Sequence, residues 1–305
     1  MNKVIVIAGP TATGKTALSV ELAKKFSGEV ISADSVQIYK ELNIGSAKPD
    51  EAERKGIPHH MMDFLDPGAN FNVADFCALA KKKIDEIHAR GNIPIIAGGT
   101  GLYISSLINN ISFVKEETNE GIREKLYREM EEIGEEKMHE KLKEIDPTAA
   151  ENIHQNNKKR VIRALEIFYT TGKTMTEQNA RSKNEPSPYE FILIGLNIAR
   201  ETLYERIDKR VDVMVERGLF EEVAALLDKG ISKDAQSMQG IGYKEAVRFL
   251  EGEISKTESI ELIQKNSRNY AKRQLTWFKR EPYEWFDAMS STLFEDVKTY
   301  LSEKL

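Results

Sequence analysis

The stretch GPTATGKT at residues 9–16 limits the possible folds of this chain more than any other feature. It has the spacing G-x-x-x-x-G-K-T of a phosphate-binding loop, and the apolar run KVIVIA stands directly before it. In such a loop, glycines let backbone N–H groups converge on phosphate oxygens, and the following helix adds its positive N-terminal end. Lys15 supplies a positive charge, and Thr16 offers a hydroxyl to Mg²⁺. The motif predicts a strand, a phosphate loop and a helix, but it does not distinguish ATP from another diphosphate.

Length and composition are those of a soluble globular protein. The chain has 305 residues, 40% of them hydrophobic and 30% charged, with a net charge of -5. This balance argues against a basic coat over the whole surface but allows a local basic face. The single cysteine, Cys77, excludes an internal disulfide and a Cys-based zinc site, and we expect it to be buried. The start lacks a signal-peptide pattern and no apolar run approaches the roughly 18 residues of a membrane span, so we expect a cytoplasmic protein.

Short β-rich runs alternate with helical patterns in the first part of the chain. Helical patterns such as TALSVELAKKF and VADFCALAKKKIDEIHARG lie between these runs. Strands alternating with helices predict βαβ units and an α/β fold with a mostly parallel sheet. The predicted strands are Val4–Ala8, Glu29–Ala33, a run around His60–Phe64, Ile93–Ala97 and, later, Phe191–Asn197.

The middle of the chain lacks a strand pattern from about Glu116 to Ala180. Its charged stretches have helical periodicity, and one of them places Val161, Leu165 and Phe168 on a single face. A helical stretch between strands of one sheet predicts an insertion domain. We therefore expect a helical insertion over 116–187, with 1–115 and 188–305 forming the core and its helical C-terminal part.

Two further strand ends carry candidate chemistry. Asp34 follows the second predicted strand, where it could act as a general base or cap a turn. The segment GGTGLY at residues 98–103 brings backbone amides and the Thr100 hydroxyl to the same edge of the sheet. The strand before it lacks the terminal Asp with which many P-loop kinases and ATPases organise Mg²⁺. Asp63, in HMMDF, keeps a kinase interpretation open.

Taken together, GPTATGKT, ISADSVQIYKELNIGSAKP, PHHMMDFLDP, IPIIAGGTGLY, KKRVIRALEI and GIGYKE resemble the bacterial tRNA dimethylallyltransferases, or tRNA isopentenyltransferases. The resemblance runs from about Val4 to Phe278. It implies a P-loop NTPase-like core and an all-helical insertion that contacts the tRNA anticodon stem-loop. The implied reaction moves a dimethylallyl group from dimethylallyl diphosphate to the exocyclic amino group of the adenosine on the 3′ side of the anticodon. The substrates would be tRNAs that read codons beginning with U, the cofactor Mg²⁺ and the protein a monomer.

The same resemblance assigns roles to the candidate residues. Asp34 would take the proton from the adenine amino group, while Thr100, Lys15 and an arginine would assist the leaving diphosphate. We place this arginine at Arg210, with Arg206 and Arg217 as rivals on the same predicted helix. Thr16 would be the protein's ligand to Mg²⁺. The implied diphosphate loop consists of Gly9, Pro10, Thr11, Ala12, Thr13, Gly14, Lys15 and Thr16.

Contacts with tRNA are implied at several separate segments. The basic cluster of the insertion would grip the RNA backbone, while the turn after the second strand would surround the extruded base. A basic stripe on the last long helix, including Lys265, Arg268 and Lys272, is more typical of a solvated helix face. The implied tRNA-binding residues are Asp34, Ser35, Val36, Gln37, Thr100, Arg123, Lys158, Lys159, Arg160, Val161, Ile162, Gln239, Gly240, Ile241, Gly242, Tyr243 and Lys244.

Three other functions stay open at this point. The same prenyl transfer could use free adenine nucleotides, although the insertion and the basic helices favour tRNA. A kinase for a small metabolite would use the generic loop and Asp63. A non-catalytic RNA-binding protein would leave Lys15, Asp34 and Thr100 without a joint purpose.

Overall fold

The computed structural model describes residues 2–113, 120–181 and 185–305. Within these ranges, six strands form one sheet in the order β3-β2-β4-β1-β5-β6, and every neighbouring pair is parallel. The predicted α/β class with a parallel sheet is therefore confirmed. The strands are β1 Asn2–Ala8, β2 Gly28–Ala33, β3 His59–His60, β4 Ile93–Gly98, β5 Tyr189–Asn197 and β6 Glu284–Asp287.

Helices connect the strands and fill the middle of the chain. Several begin at reciprocal caps: at the start of α13, Ser255 and Glu258 each accept the other's backbone N–H, which satisfies two otherwise unpaired donors. The helices are α1 Lys15–Phe26, α2 Glu51–Arg54, α3 Val73–Ala89, α4 Gly101–Ile108, α5 Glu120–Ile133, α6 Glu135–Ile145, α7 Pro147–Asn152, α8 Lys158–Thr171, α9 Met175–Arg181, α10 Arg200–Glu216, α11 Leu219–Asp228, α12 Tyr243–Leu250, α13 Lys256–Phe278 and α14 Leu293–Lys304.

The structure corrects one predicted strand and adds one that was not predicted. The strand expected around His60–Phe64 is instead β3, which ends at His60. It cannot continue because Met61 and Asp63 have φ values of 61° and 55°, in the left-handed region that a strand does not use. The edge strand β6 was not predicted, since four half-exposed residues give too short a pattern to distinguish a strand.

The central strand β1 places its side chains alternately in two apolar layers. Val4 and Val6 belong to a core cluster that includes Phe76 of α3. Ile5 and Ile7 belong to a second cluster with residues of α1 and α14. Because both faces are covered, the strand is apolar from Val4 to Ala8, and its carboxyl end leads directly into the phosphate loop.

The chain divides into two compact units, residues 1–108 with 188–305, and residues 109–187. The second unit starts at 109, whereas the sequence placed its start at 116, a position outside the described residues. Its own core contains Leu126, Met138, Leu142 and Leu165. No strand occurs among its described residues, and Gly134, with φ 89°, separates α5 from α6.

Candidate active site and RNA-contact residues

The phosphate loop connects the end of β1 to the first turn of α1. Ala12 and Gly14 adopt a left-handed backbone conformation, with φ values of 64° and 83°. These two residues turn the chain sharply between β1 and α1. The Thr13 hydroxyl donates to the Pro10 carbonyl at 2.8 Å. A Cβ at Gly9 would lie 2.9 Å from the carbonyl oxygen of Leu196, so this position requires glycine. The predicted order of strand, loop and helix is confirmed.

Lys15 lies inside this loop and is electrostatically coupled to two other candidate residues. Its Nζ donates to the Pro10 carbonyl at 2.6 Å. Burial, with a smaller contribution from the nearby Arg210, lowers the pKa of Lys15 to about 7, although Asp34 opposes both effects. A bound anion would favour the charged ammonium. The structure therefore brings Lys15, Arg210 and Asp34 together, as the sequence predicted.

Asp34 and Thr100 meet because their strands are neighbours in the sheet, with Ala33 of β2 opposite Gly98 of β4. The Ser35 N–H donates to the Thr100 hydroxyl at 3.2 Å, and the Thr100 N–H donates to the Ala33 carbonyl at 3.1 Å. Oδ1 of Asp34 accepts the N–H groups of the two residues that follow Ser35, at 2.8 and 3.2 Å. Asp34 thus shapes its own turn through Oδ1, while no described residue hydrogen-bonds to Oδ2, which is the oxygen left to act as a base.

The three candidate arginines, two in α10 and one directly after it, have different surroundings. Burial lowers the pKa of Arg210, and the carboxylates of Asp34 and Glu53 raise it. Arg206 donates from Nε to the Ala12 carbonyl at 2.8 Å and so supports the outside of the phosphate loop. Arg217 is exposed at the C-terminal end of α10. This arrangement favours Arg210 as the cation that faces the site.

Two residues of α13 border the site and were missed from the sequence. Gln274 accepts the Thr11 N–H at 3.0 Å and donates to the Gly99 carbonyl at 2.9 Å. Tyr270, one turn earlier, interacts through its hydroxyl with the side chains of Thr100 and Gln274, and burial raises its pKa to about 12. One sequence feature could have indicated these two residues. Tyr270 and Gln274 are four positions apart, which places two polar side chains on one face of a long helix.

The turn-rich segment after β2 is fixed to α11. Glu222 accepts the N–H groups of Asn43, Ile44 and Gly45 at 2.9, 2.8 and 3.1 Å, and the Tyr243 hydroxyl at 2.8 Å. The Tyr243 hydroxyl also accepts the N–H of Ser46 at 3.1 Å. One carboxylate thereby accepts hydrogen bonds from three consecutive backbone amides, which holds the loop at residues 43–45 in a single conformation.

Two polar residues of the same region are occupied by the fold. The Gln37 amide accepts the Ser32 hydroxyl at 3.0 Å and donates to the carbonyls of Ser46 and Ala47 at 3.4 Å each. Asp63 forms an ion pair with the buried Lys48 and lies 3.7 Å from Arg54. The carboxylate that kept a kinase interpretation open is therefore engaged in holding this loop.

The segment 239–244 lies next to the Asp34 turn, since a Cβ at Gly240 would be 3.4 Å from Cγ2 of Val36. Gln239 and Lys244 are exposed, whereas Ile241 packs partly against the core. Tyr243 is fully buried against Glu222, so its side chain is not available to RNA. The side chain of Tyr243 positions its neighbours, and an RNA contact at this residue stays a prediction for its backbone alone.

The basic cluster of the second unit divides into exposed and buried residues. Lys158, Lys159 and Arg160 are exposed, and Lys158 pairs with Glu135 at 2.7 Å. Val161 and Ile162 are buried in the core of this unit, so side-chain contact with RNA is incompatible with their positions. In the same unit, Arg123 and Arg163 each donate to Oε2 of the buried Glu166, at 2.9 and 3.0 Å.

The part of the chain that the structure describes contains neither a metal-binding cluster nor a membrane-spanning helix. No group of three or more His, Cys, Asp or Glu side chains in those residues could hold a metal ion. None of the described helices is both long and apolar enough to cross a bilayer. Cys77 is buried as predicted, and burial raises the pKa of its thiol to about 11, which disfavours the reactive thiolate.

The sequence pattern of the IPP transferase family matches residues 37–281. The chain belongs to the IPP transferase family. The matched range covers the loop held by Glu222, the turn at Thr100, and α13, while the phosphate loop lies before it. The tRNA dimethylallyltransferase of Acetivibrio thermocellus is 49% identical to it over 308 residues, covering 99% of this chain and 98% of that protein. The tRNA dimethylallyltransferase of Bacillus cytotoxicus is 49% identical, covering 100% and 96%.

Solved structures of transferases also match this chain over nearly its whole length. The full-length tRNA isopentenylpyrophosphate transferase from Bacillus halodurans has a TM-score of 0.76 and 44% identity, covering 100% of this chain and 97% of that one. A eukaryotic dimethylallyltransferase, described as acting on tRNA, has a TM-score of 0.81 and 32% identity, covering 99% and 78%.

Proposed function

We infer that this chain is a tRNA dimethylallyltransferase. It transfers the dimethylallyl group of dimethylallyl diphosphate to the exocyclic amino group of the adenosine 3′-adjacent to the anticodon, in tRNAs that read codons beginning with U. The observation that carries the proposal is the meeting of the phosphate loop, Asp34, Thr100 and Arg210 at one edge of the sheet. Relatives of nearly equal length at 49% identity, which bear the name tRNA dimethylallyltransferase, support the choice of reaction.

The residues at this edge suit the two halves of the reaction. The adenine amino group is a weak nucleophile, so a base must take its proton as the new N–C bond forms and the C–O bond to diphosphate breaks. Oδ2 of Asp34 is the proposed acceptor of this proton. Lys15, Arg210, the Thr100 hydroxyl and the loop amides would stabilise the negative charge that grows on the leaving diphosphate.

We also propose Mg²⁺ as the cofactor. The Thr16 hydroxyl at the start of α1 is the protein ligand that the loop offers. Because the described residues contain no cluster of three potential metal-binding carboxylates or imidazoles, most oxygen ligands would come from the diphosphate and water, as Mg²⁺ allows. The ion would add positive charge to the leaving group.

The proposed macromolecular partner is the anticodon stem-loop of tRNA. An adenosine in a loop is unstacked more easily than one in a duplex, so it can be extruded toward Asp34. Exposed cations would hold the RNA backbone, namely Lys158, Lys159, Arg160 and Lys244, with Arg123 held by Glu166. We further propose a cytoplasmic location and a monomeric protein, and sedimentation of the purified protein with and without tRNA would test the latter.

A transfer assay tests the function directly. The protein and Mg²⁺ are mixed with dimethylallyl diphosphate labelled in its prenyl group, and parallel reactions receive unmodified tRNA, AMP or ATP. We expect label in tRNA alone. Label in AMP or ATP would instead identify a nucleotide prenyltransferase. Conversion of ATP to ADP with transfer of the γ-phosphate to a small acceptor, and without prenyl transfer, would identify a kinase and reject the proposal.

A further inference from the structure

Gln274 connects two loops that are distant in sequence and adjacent at the proposed site. The side chain is 5% exposed and uses both ends of its amide. Oε1 accepts the Thr11 N–H of the phosphate loop at 3.0 Å, and Nε2 donates to the Gly99 carbonyl, after β4, at 2.9 Å. A buried amide with both ends paired has one strongly preferred orientation, so it fixes the distance between the loops it joins.

The surroundings of Gln274 leave it little freedom to move. A Cβ at Gly99 would lie 2.2 Å from Nε2, so the glycine is what allows the amide to approach the backbone. Tyr270, one turn earlier on α13, contacts Thr100 and Gln274 through its hydroxyl. One face of α13 therefore touches the phosphate loop, the turn after β4 and the hydroxyl of Thr100.

This contact also changes which amides of the loop are available to a ligand. Pro10 has no N–H, and the N–H of Thr11 is already taken by Gln274. On the other side of the loop, Arg206 holds the Ala12 carbonyl. The phosphate loop is thus held from α10 and α13, and the amides from Ala12 onward, with Lys15, form the anion cradle.

We propose that Gln274 is a positioning residue for prenyl transfer, which holds the phosphate loop and Thr100 in the relative placement that diphosphate binding requires. The proposal rests on the proposed function, because Thr100 and the loop are assigned to the same leaving group. Fixed donors stabilise a developing charge better than donors that must reorganise. Loss of the bridge should therefore reduce diphosphate affinity and the transfer rate while leaving tRNA affinity unchanged.

The test uses Gln274→Met, which keeps similar length and volume without hydrogen bonds. We expect inorganic diphosphate to bind about tenfold more weakly by calorimetry, and kcat/KM for dimethylallyl diphosphate to fall at least as far. The Kd for tRNA should stay close to that of the wild type, and the Tm should fall by no more than a few degrees, since two buried backbone groups lose their partner. Equal diphosphate affinity and equal kcat/KM would overturn the proposal, as would a parallel loss of tRNA affinity and Tm, since this would indicate general unfolding.

A second set of variants isolates the contact itself. Gly99→Ala pushes the amide away while leaving Gln274 in the chain, and Gln274→Ala makes room for the new methyl group. We expect each single variant to bind diphosphate more weakly than the wild type does. The double variant should bind diphosphate as tightly as Gln274→Ala alone. Strictly additive losses would reject the bridge. Because inorganic diphosphate binding does not depend on transfer, an inactive wild type would reject the proposed function while this measurement still decides the role of Gln274.

Discussion

The backbone N–H of Ser35 donates a hydrogen bond to the hydroxyl of Thr100 at 3.2 Å. This bond joins the turn that carries the proposed base to the turn that carries a proposed diphosphate ligand. Both turns follow strands that pair directly, with Ala33 opposite Gly98, so the sheet brings them to the same edge. The acceptor end and the leaving-group end of the proposed reaction are therefore held together by backbone geometry as well as by side chains.

Asp34→Asn should separate the two uses of this carboxylate. In the wild type, Oδ1 of Asp34 accepts hydrogen bonds from the N–H groups of Val36 and Gln37 at 2.8 and 3.2 Å. The amide oxygen of asparagine can accept the same two bonds, so the turn should persist. The amide cannot take a proton, and we expect the single-turnover transfer rate to fall by about 10²-fold or more. The Kd for tRNA should not change. An unchanged rate would remove Asp34 as the base.

Lys15 should take up a proton when diphosphate binds. In the unliganded protein burial lowers its pKa to about 7, so at about pH 8 most molecules carry a neutral amine. A diphosphate in the loop favours the ammonium and raises this pKa. Calorimetric titration with inorganic diphosphate, in two buffers of different ionisation enthalpy, measures the protons bound.

Lys15→Arg is the matched control, because arginine stays charged in both states. Its titration reports any proton exchange of the diphosphate itself. We expect the wild type to take up more protons than this variant at about pH 8. Equal uptake by the two proteins would show that Lys15 does not change its protonation state on binding.

The sequence predicted those parts of the site that depend on local pattern or on the sheet alone. The phosphate loop is a single short segment, and the approach of Asp34 to Thr100 follows from parallel strands that end at one edge. The role of Gln274 depends on how α13 packs against loops more than 170 residues earlier in the chain, at separations of 263 and 175 residues. The spacing of four residues between Tyr270 and Gln274 indicates a shared helix face, but it does not identify the loops against which that face packs.

Val161 and Ile162 illustrate a conflict between two kinds of sequence argument. Family resemblance implied that the whole stretch 158–162 binds tRNA. Helical periodicity independently placed Val161 on one face with Leu165, and the structure buries both. The burial follows the periodicity, because a helix that presents cations on one face must bury its apolar face elsewhere. A backbone contact with RNA at these two residues stays a prediction.

Glu222→Gln should loosen the loop that Glu222 holds. The carboxylate accepts three consecutive amides and the Tyr243 hydroxyl, whereas an amide offers one acceptor oxygen and brings an NH₂ group toward other donors. We expect a loss of about 2 kcal/mol in the free energy of unfolding. Hydrogen exchange at Asn43, Ile44 and Gly45 should accelerate. Glu221→Gln, at the exposed neighbouring position, is the control, and equal exchange in both variants would contradict the assignment.

Glu29 should contribute to stability at neutral pH and lose this contribution in acid. Hydrogen bonds from the Arg90 guanidinium, at 2.9 and 2.7 Å, with smaller contributions from Asn92 and His60, lower the pKa of Glu29 from 4.5 to about 2 although burial opposes this. Because the folded pKa is the lower one, the stabilisation is complete above about pH 4.5 and disappears as the pH falls through about 2. Arg90→Met should lower the urea midpoint at about pH 7 and flatten its decline toward about pH 3. Parallel wild-type and variant profiles would show that Arg90 does not set this pKa.

Neutralising the exposed cluster Lys158, Lys159 and Arg160 should weaken tRNA binding and reduce its salt dependence. Each cation that neutralises a phosphate contributes about 0.7 to 0.9 unit to the slope of log K against log salt, so three substitutions should lower the slope by up to about 2 to 3 units. Glutamine at all three positions keeps helix propensity in α8, and Val161 and Ile162 remain to hold the helix in its core. Titrations of tRNA at several salt concentrations measure both quantities.

A triple variant of exposed lysines in the other unit, Lys24, Lys25 and Lys82, loses the same net charge and serves as the control. If both variants lose the same affinity and slope, the effect reflects net charge alone and the cluster is an ordinary solvated face.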